Sequence, residues 1–258
     1  MPRYATYPSL EDRAIFITGG ASGIGENMVR QFSGQGAKVA FVDINDEAAD
    51  AVVKSCEEKG GKHVPLFHKC DIKDIPALQA AIDKAADAFG SLHVLVNNAA
   101  NDDRHRWDEV TPDYWDERFA TNLRHHFFAI QAAVPHMREA GGGSIINIGS
   151  ASWMMKEDFF PAYATAKSAV QGLTHTMART FGPDNIRVNT VLPGWIFTER
   201  QLEKWWTPEG EAAAMDAQCL KKRIYPEEFN QIVLFLAADD GGACTAQSYI
   251  VDAGRACI

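Results

Sequence analysis

Apolar residues in this chain gather in short runs separated by longer amphipathic stretches. Ala14-Ile15-Phe16-Ile17 is one such run and ends in Thr18; Lys38-Val39-Ala40-Phe41-Val42 is a second and ends in Asp43. Similar runs lie around His63–Phe67, at Leu92–Val96, Ser144–Ile148 and Ile186–Leu192, and near Ser248–Val251. Their length and composition predict strands. Helical spacing fills the intervals. Ile24, Met28, Val29 and Phe32 share one side of a helix that Gly34 and Gly36 end. Further helices are predicted over Asp46–Lys59, Asp74–Phe89, about Pro112–Arg138, from Tyr163 to about Phe181, and over Pro226–Ala238.

Strands alternating with helices of this length predict parallel βαβ units with right-handed crossovers, hence an α/β fold with one doubly wound sheet of roughly seven strands. No linker, repeat or low-complexity segment divides the chain, so residues 1–258 read as a single Rossmann-type domain. Ligands of such sheets bind at the carboxyl ends of the strands. Thr18, Asp43, Asn97, Ser150 and Pro193 all stand just past predicted strand ends and should converge there. The least regular segment, about 195–216, holds Trp195, Thr198 and the stretch EKWWTPEGE at 203–211. It overhangs the same end of the sheet and reads as a substrate lid.

Composition narrows the functional classes. With 25 Lys plus Arg against 34 Asp plus Glu, the net charge is −9, and no basic run offsets it. That argues against nucleic acid or an anionic membrane as partner. Cys56, Cys70, Cys219, Cys244 and Cys257 are odd in number and scattered, as expected of reduced thiols. The N-terminal stretch lacks an apolar signal core and no apolar run reaches about 18 residues. A cytoplasmic protein is expected.

The chemistry starts at Thr18-Gly19-Gly20-Ala21-Ser22-Gly23-Ile24-Gly25, a glycine-rich turn between strand and helix. In that context glycines let backbone approach a pyrophosphate, and the helix N-terminus presents N–H groups to it. Asp43 ends the second strand, where a carboxylate accepts hydrogen bonds from ribose hydroxyls and repels a 2′-phosphate. No Arg or Lys occurs among the ten residues that follow, which favours NAD over NADP. Asp43 could equally cap the next helix. Tyr163-Ala-Thr-Ala-Lys167 places a phenol and an ammonium one helical turn apart. A neighbouring cation should lower the phenol pKa and make Tyr163 a general base, with Ser150 upstream to hold the reacting oxygen.

TGGASGIG at 18–25, NNA at 97–99, Asn122, Ser150 and YATAK at 163–167, in this order and spacing, resemble the short-chain dehydrogenase/reductase superfamily across almost the whole chain. The resemblance implies NAD(P)-dependent hydride transfer by a tetrad of Asn122, Ser150, Tyr163 and Lys167. It also implies a cofactor site in which Gly19, Ser22, Gly23, Ile24 and Gly25 meet the pyrophosphate and Asp43 and Ile44 the adenosine ribose. Asp71 and Ile72 would meet the adenine, and Asn98, Ala99 and Ala100 would lie along the cofactor. Pro193, Gly194, Trp195, Ile196 and Thr198 would stand at the nicotinamide end, with Tyr163 and Lys167, while Asn97 supports the central strand. One departure is Ala100, where the family carries glycine, and its methyl is expected to tighten that turn. Asn122 would hold a water that relays protons to solvent.

NDDRH at 101–105, YWDER at 114–118, NLRHHF at 122–127 and EKWWTPEGE at 203–211 resemble, more narrowly, the bacterial aldose 1-dehydrogenases, including those that oxidise D-xylose to a lactone. A sugar site mixes polar groups with aromatic rings. The candidates are Asn101, Arg104 and His105; Ser150, Ser152, Trp153, Glu157 and Asp158; Tyr163; and Trp195, Trp205 and Trp206, with D-xylose or L-arabinose the expected substrates. Each loop residue could instead belong to a solvated surface. The alternatives are a dehydrogenase of another polar alcohol, polyol or ketone, and a non-catalytic NAD-binding protein. His125, His126, His136 and His175 are read as packing or surface residues, and no metal is expected. The family resemblance implies a homotetramer built on the helices carrying Asn122 and Tyr163; Val170 and Leu173 of the latter suit a two-fold contact on its outer face or, equally, burial against the sheet.

Overall fold

The computed structural model describes residues 4–256; Cys257 lies outside them. Seven strands form one parallel sheet: β1 (Ala14–Thr18), β2 (Lys38–Asp43), β3 (Leu66–Lys69), β4 (Val94–Asn97), β5 (Gly143–Ile148), β6 (Ile186–Pro193) and β7 (Ser248–Val251), in the order β3-β2-β1-β4-β5-β6-β7. The order reverses between β1 and β4, which opens a crevice at their carboxyl ends.

Both faces of the sheet are buried. Alternate residues enter opposite cores, as the pleat requires. Ile15, Ile17, Val39 and Phe41 pack with Met28 and Phe32 of α1 (Gly23–Gly34), Val52 of α2 (Asp46–Glu58) and Phe229 of α9 (Pro226–Ala237). Phe16, Ala40, Val42 and Leu95 pack the other way, on α3 (Ile75–Phe89), α5 (His125–Glu139) and the long helix α6 (Pro161–Phe181). Every β1 residue is fully buried, so any charge placed there would be stranded without water.

Several predicted boundaries move for identifiable reasons. β3 starts at Leu66 rather than near His63, because Leu66 pairs Ala40 and Pro65 has no N–H for a ladder. The helix expected over Pro112–Arg138 is α4 (Pro112–Phe119) and α5 separated by a π turn, Ala120–Arg124. Several helix starts are capped by polar side chains: Asn45 accepts from Ala48 N–H at 3.1 Å and Asp74 from Ala77 N–H at 3.1 Å. Asn45, not Asp43, is thus the α2 cap.

Between β6 and α9 the chain leaves the sheet and forms α7 (Glu199–Lys204) and α8 (Pro208–Ala217). A single parallel bridge, Ile196 to Ile224, joins the two ends of this excursion. No helix among the described residues is long and apolar enough to cross a membrane.

Candidate active site

A cleft of about 1360 Å³ runs over the carboxyl ends of the strands. It brings together nearly all the residues that the motifs single out, including Gly19, Ser22–Gly25, Asp43, Ile44, Asp71, Ile72, Asn98–Asn101, Arg104, Ser150, Ser152, Tyr163, Lys167, Pro193–Ile196 and Thr198.

The glycine turn is built for close approach. Gly19 has φ +70°, and a Cβ there would lie 2.8 Å from Ala99 Cα. A Cβ on Gly25 would lie 1.8 Å from the Gly19 carbonyl oxygen and 2.6 Å from Asn98 Nδ2. Asn98 Nδ2 donates to the carbonyls of Thr18 at 3.0 Å and Gly19 at 2.9 Å, tying the end of β4 to this turn. Ser22 precedes α1 without a side-chain cap, so the first-turn N–H groups of α1 are left to an anion. The cradle, the uncapped helix start and the carboxylate at the end of β2 fit a dinucleotide. Asp43 accepts from the N–H groups of Ala21 at 3.0 Å, Ile44 at 2.8 Å and Asn45 at 3.1 Å, which fixes its carboxylate at the rim. Ala100 is exposed and its backbone is not left-handed, so its methyl does not tighten the turn as expected.

Tyr163 and Lys167 are successive inward positions of α6, both buried. Lys167 Nζ donates to the Ile148 carbonyl at 2.8 Å, and burial lowers the ammonium pKa to about 7. The depression of the tyrosine pKa expected from this lysine is not found. Burial holds the Tyr163 phenol well above its ordinary value, and Asp102 adds to the rise, while the neighbouring Ser150 hydroxyl opposes it. Desolvation dominates because both groups are shut off from water, and the same burial disfavours the charged form of Lys167. The Ser150 hydroxyl donates to Ser152 Oγ at 3.0 Å and accepts from Ser152 N–H at 3.2 Å.

Asn122 sits in the π turn, fully buried. Its side chain is bonded to the backbone of Asn101 and Arg118, so it anchors the loop after β4. Buried Asn97 donates to Asn147 at 2.9 Å, linking β4 to β5. His125 and His126 are buried with ring centroids 4.4 Å apart. Burial pulls His125 down to about 3 and His126 well below its ordinary value, so both are neutral, and His125 Nε2 lies 3.0 Å from the Ala99 carbonyl oxygen. No cluster of metal-ligating side chains occurs among the described residues.

The wall proposed for substrate divides. Arg104 lines the cleft, its guanidinium 4.4 Å from the Phe159 ring centroid and 4.6 Å from that of Trp205. Trp195 lines it too, with Nε1 donating to Gln201 Oε1 at 3.1 Å. Four candidates lie outside the lining. Trp153 is 37% exposed on the turn after Ser150, and Asp158 is exposed. Trp206 is 38% exposed and donates to Glu211 at 2.6 Å, which holds it within the lid. His105 is structural as well: its Nε2 accepts from Ala162 N–H at 3.1 Å and pins the start of α6. Residues the motifs did not single out take these places. Met155 and Phe159 line the cleft, and so does Arg255, which follows β7. Asp102 anchors α7, accepting from Gln201 Nε2 at 2.5 Å and Arg200 at 3.4 Å. Only the run NDDR, dense in polar groups after a strand end, carried a signal for it.

Residues 19–256 match the family model described as Enoyl-(Acyl carrier protein) reductase. The chain is 48% identical over 250 residues to the D-xylose 1-dehydrogenase of Caulobacter vibrioides, covering 97% of this chain and 98% of that one. It is 46% identical over 248 residues to a protein of Rhizobium meliloti named a probable galactose dehydrogenase, covering 96% of each. Among solved structures, a short-chain type dehydrogenase/reductase from Mycobacterium ulcerans superposes with a TM-score of 0.91 at 25% identity, over 97% of this chain and 91% of that one.

Proposed function

The chain belongs to the short-chain dehydrogenase/reductase superfamily, and from that membership we propose that it is an NAD-dependent aldose 1-dehydrogenase. It oxidises C1 of a cyclic pentose, D-xylose or L-arabinose foremost, to the aldono-lactone. One observation carries the reading: Ser150, Tyr163 and Lys167 share a cleft with polar and aromatic side chains, among them Asn101, Arg104 and Trp205. Such a wall suits a ring of hydroxyls better than a long acyl chain. The relatives named for D-xylose and galactose support the same class.

A bound nicotinamide cofactor would supply the hydride acceptor for the substrate carbon. The turn at Gly19–Gly25 and the start of α1 would hold its pyrophosphate, and Asp43 would take the adenosine ribose hydroxyls. Tyr163 Oη accepts the proton of the anomeric hydroxyl, and Ser150 Oγ orients that oxygen. Burial opposes the phenolate, so the charges around Tyr163 decide its strength as a base. Asp102 works against ionisation, and Arg200 and Gln201 of α7 hydrogen-bond that carboxylate.

We also propose a homotetramer and a reducing, cytoplasmic location. The supports are an apolar hollow of about 360 Å³ bounded by Phe119, Leu123, Phe127, Phe128, Ala169 and Leu173, and the free thiols of Cys56, Cys70, Cys219 and Cys244. Val170 does not contribute, being fully buried rather than outward.

The test is the absorbance of the reduced nicotinamide, followed with NAD and then NADP across xylose, arabinose, galactose, fucose, glucose and polyols. Turnover of one or two aldoses with NAD, giving the lactone, is expected. Activity confined to polyols or simple alcohols would discard the aldose reading. Tyr163→Phe should lower kcat by about 10²–10⁴-fold with cofactor binding intact; a loss of under about tenfold would remove Tyr163 as the base.

A further inference from the structure

Four separate segments meet in the cleft beside Ser150 and Tyr163. Arg104 comes from the loop after β4, Glu157 and Phe159 from the loop between β5 and α6, Trp205 from the end of α7, and Arg255 from the segment after β7. Glu157 Oε1 lies 2.9 Å from Arg255 Nη2, and the Glu157 side chain is only 14% exposed. A carboxylate so sheltered is costly unless it is paired. Burial pushes its pKa above the usual range, and Arg255 and Arg104 draw it back.

Both charged groups retain unused bonding capacity. Glu157 Oε2 has no protein donor among the described residues, and the Arg104 guanidinium, clamped between two rings, has no protein acceptor among them. Clamping also spends the rotational freedom of Arg104 before any ligand arrives. A fixed acceptor and a fixed donor in one cleft match a ligand whose groups both donate and accept. Hydroxyls do both; a carboxylate only accepts. With Glu157 and Asp102 set against Arg104 and Arg255, the wall carries no surplus positive charge to attract an acidic sugar.

We propose that Glu157 and Arg104 read the hydroxyls away from the reacting carbon, Glu157 accepting from one and Arg104 donating to another. Arg255 is a positioning residue that acts through Glu157. The assignment rests on the aldose reading above and adds to it: the preferred substrate is a neutral polyhydroxylated ring, recognised through a carboxylate held by the segment after the last strand.

The test is a cycle between protein and sugar. kcat/KM is measured for the best aldose and each of its monodeoxy analogues, with the wild type, Glu157→Gln, Arg255→Gln and the double variant. NAD affinity is followed by fluorescence and folding by circular dichroism. Glu157→Gln should lose about 10- to 100-fold, mainly through KM, as befits a hydrogen bond to a charged group. One deoxy analogue should cost the wild type a similar factor and cost Glu157→Gln little more. The Arg255→Gln loss should largely disappear in the Glu157→Gln background, and NAD affinity should hold throughout. Equal losses for Glu157→Gln on every analogue would overturn the inference while leaving the aldose reading intact. A wild type silent on all aldoses would remove that reading itself. Should Glu157→Gln fail to fold, Glu157→Asp keeps the charge, withdraws it by one methylene and takes its place in the same cycle. The deoxy analogue that costs it little more would again uphold the inference, and equal losses on every analogue would again overturn it.

Discussion

Asn122 binds the backbone of Asn101 at both ends of its amide: Oδ1 accepts from Asn101 N–H at 2.8 Å and Nδ2 donates to Asn101 carbonyl at 3.1 Å. The other amide hydrogen goes to the Arg118 carbonyl at 2.9 Å. This side chain anchors the start of the loop bearing Asp102 and Arg104. Asn122→Ala strands three buried or half-buried backbone groups, a cost of about 1–3 kcal/mol. For a chain of this size that lowers Tm by about 3–9 °C. A thermal scan at matched concentration checks it, with a rise in KM for the sugar larger than the fall in kcat.

Lys167 makes stability depend on pH in a defined direction. Its folded pKa of about 7 lies below its ordinary 10.5. Between these values the unfolded chain binds a proton that the folded one does not, so stability increases with pH across the window. The penalty is complete below about pH 7. Lys167→Met removes it, so the cofactor-free variant should be the more stable at pH 7. Its advantage should shrink as pH rises toward about 9.5, by at most about 1.4 kcal/mol per unit. Denaturant titrations of both proteins at a series of pH values measure this, and a constant difference would refute it.

The lid is docked by charges that can be weakened one at a time. Arg200 Nη2 reaches Asp103 at 2.7 Å, Asn101 at 3.2 Å and Asp102 at 3.4 Å, and Lys204 reaches Asp103 at 3.5 Å. These groups are partly exposed, so each pair is worth about 0.2–1 kcal/mol. Arg200→Gln should therefore raise KM for the sugar roughly two- to fivefold. The difference from wild type should fade at molar salt, where screening removes the pair. Steady-state kinetics at low and high ionic strength separate this from a salt-independent packing effect.

On α5, Phe127 is 42% exposed beside the apolar hollow. A charge there would be buried by any partner seated on this face. Phe127→Asp should shift the species seen by light scattering from a tetramer toward dimers or monomers at micromolar concentration. An unchanged tetramer would place the interface elsewhere.

The β1–glycine turn–α1 unit is legible from residues alone, because a buried strand, a turn that excludes Cβ atoms and an amphipathic helix each leave a local pattern. The Tyr163–Lys167 pair is legible for the same reason: helical spacing sets their common face. The π turn at Asn122 is not. It shifts hydrogen-bond partners without changing which residues favour a helix, and α4 and α5 merge into one predicted element. The tryptophans show the other limit. Trp205 and Trp206 are neighbours of one type, yet one lines the cleft and the other bonds Glu211, and only the lid's tertiary docking decides which. Arg255 lies nearly a hundred residues from Glu157 and bears no motif, so nothing local ties it to the site. The phenol and ammonium pKa values also escape a local reading, since burial is a property of the whole fold.

The bridge from Ile196 to Ile224, reinforced by Phe197 N–H to the Ile224 carbonyl at 2.8 Å, brings both ends of residues 197–223 to one point on the molecule. A loop closed in this way can double in length for only about 0.6 kcal/mol of closure entropy. The sheet and the glycine turn at Gly19–Gly25 therefore tolerate changes of length in the stretch between Thr198 and Ile224. One wall of the cleft can be remodelled there while the walls bearing Arg104, Glu157 and Arg255 stay as they are.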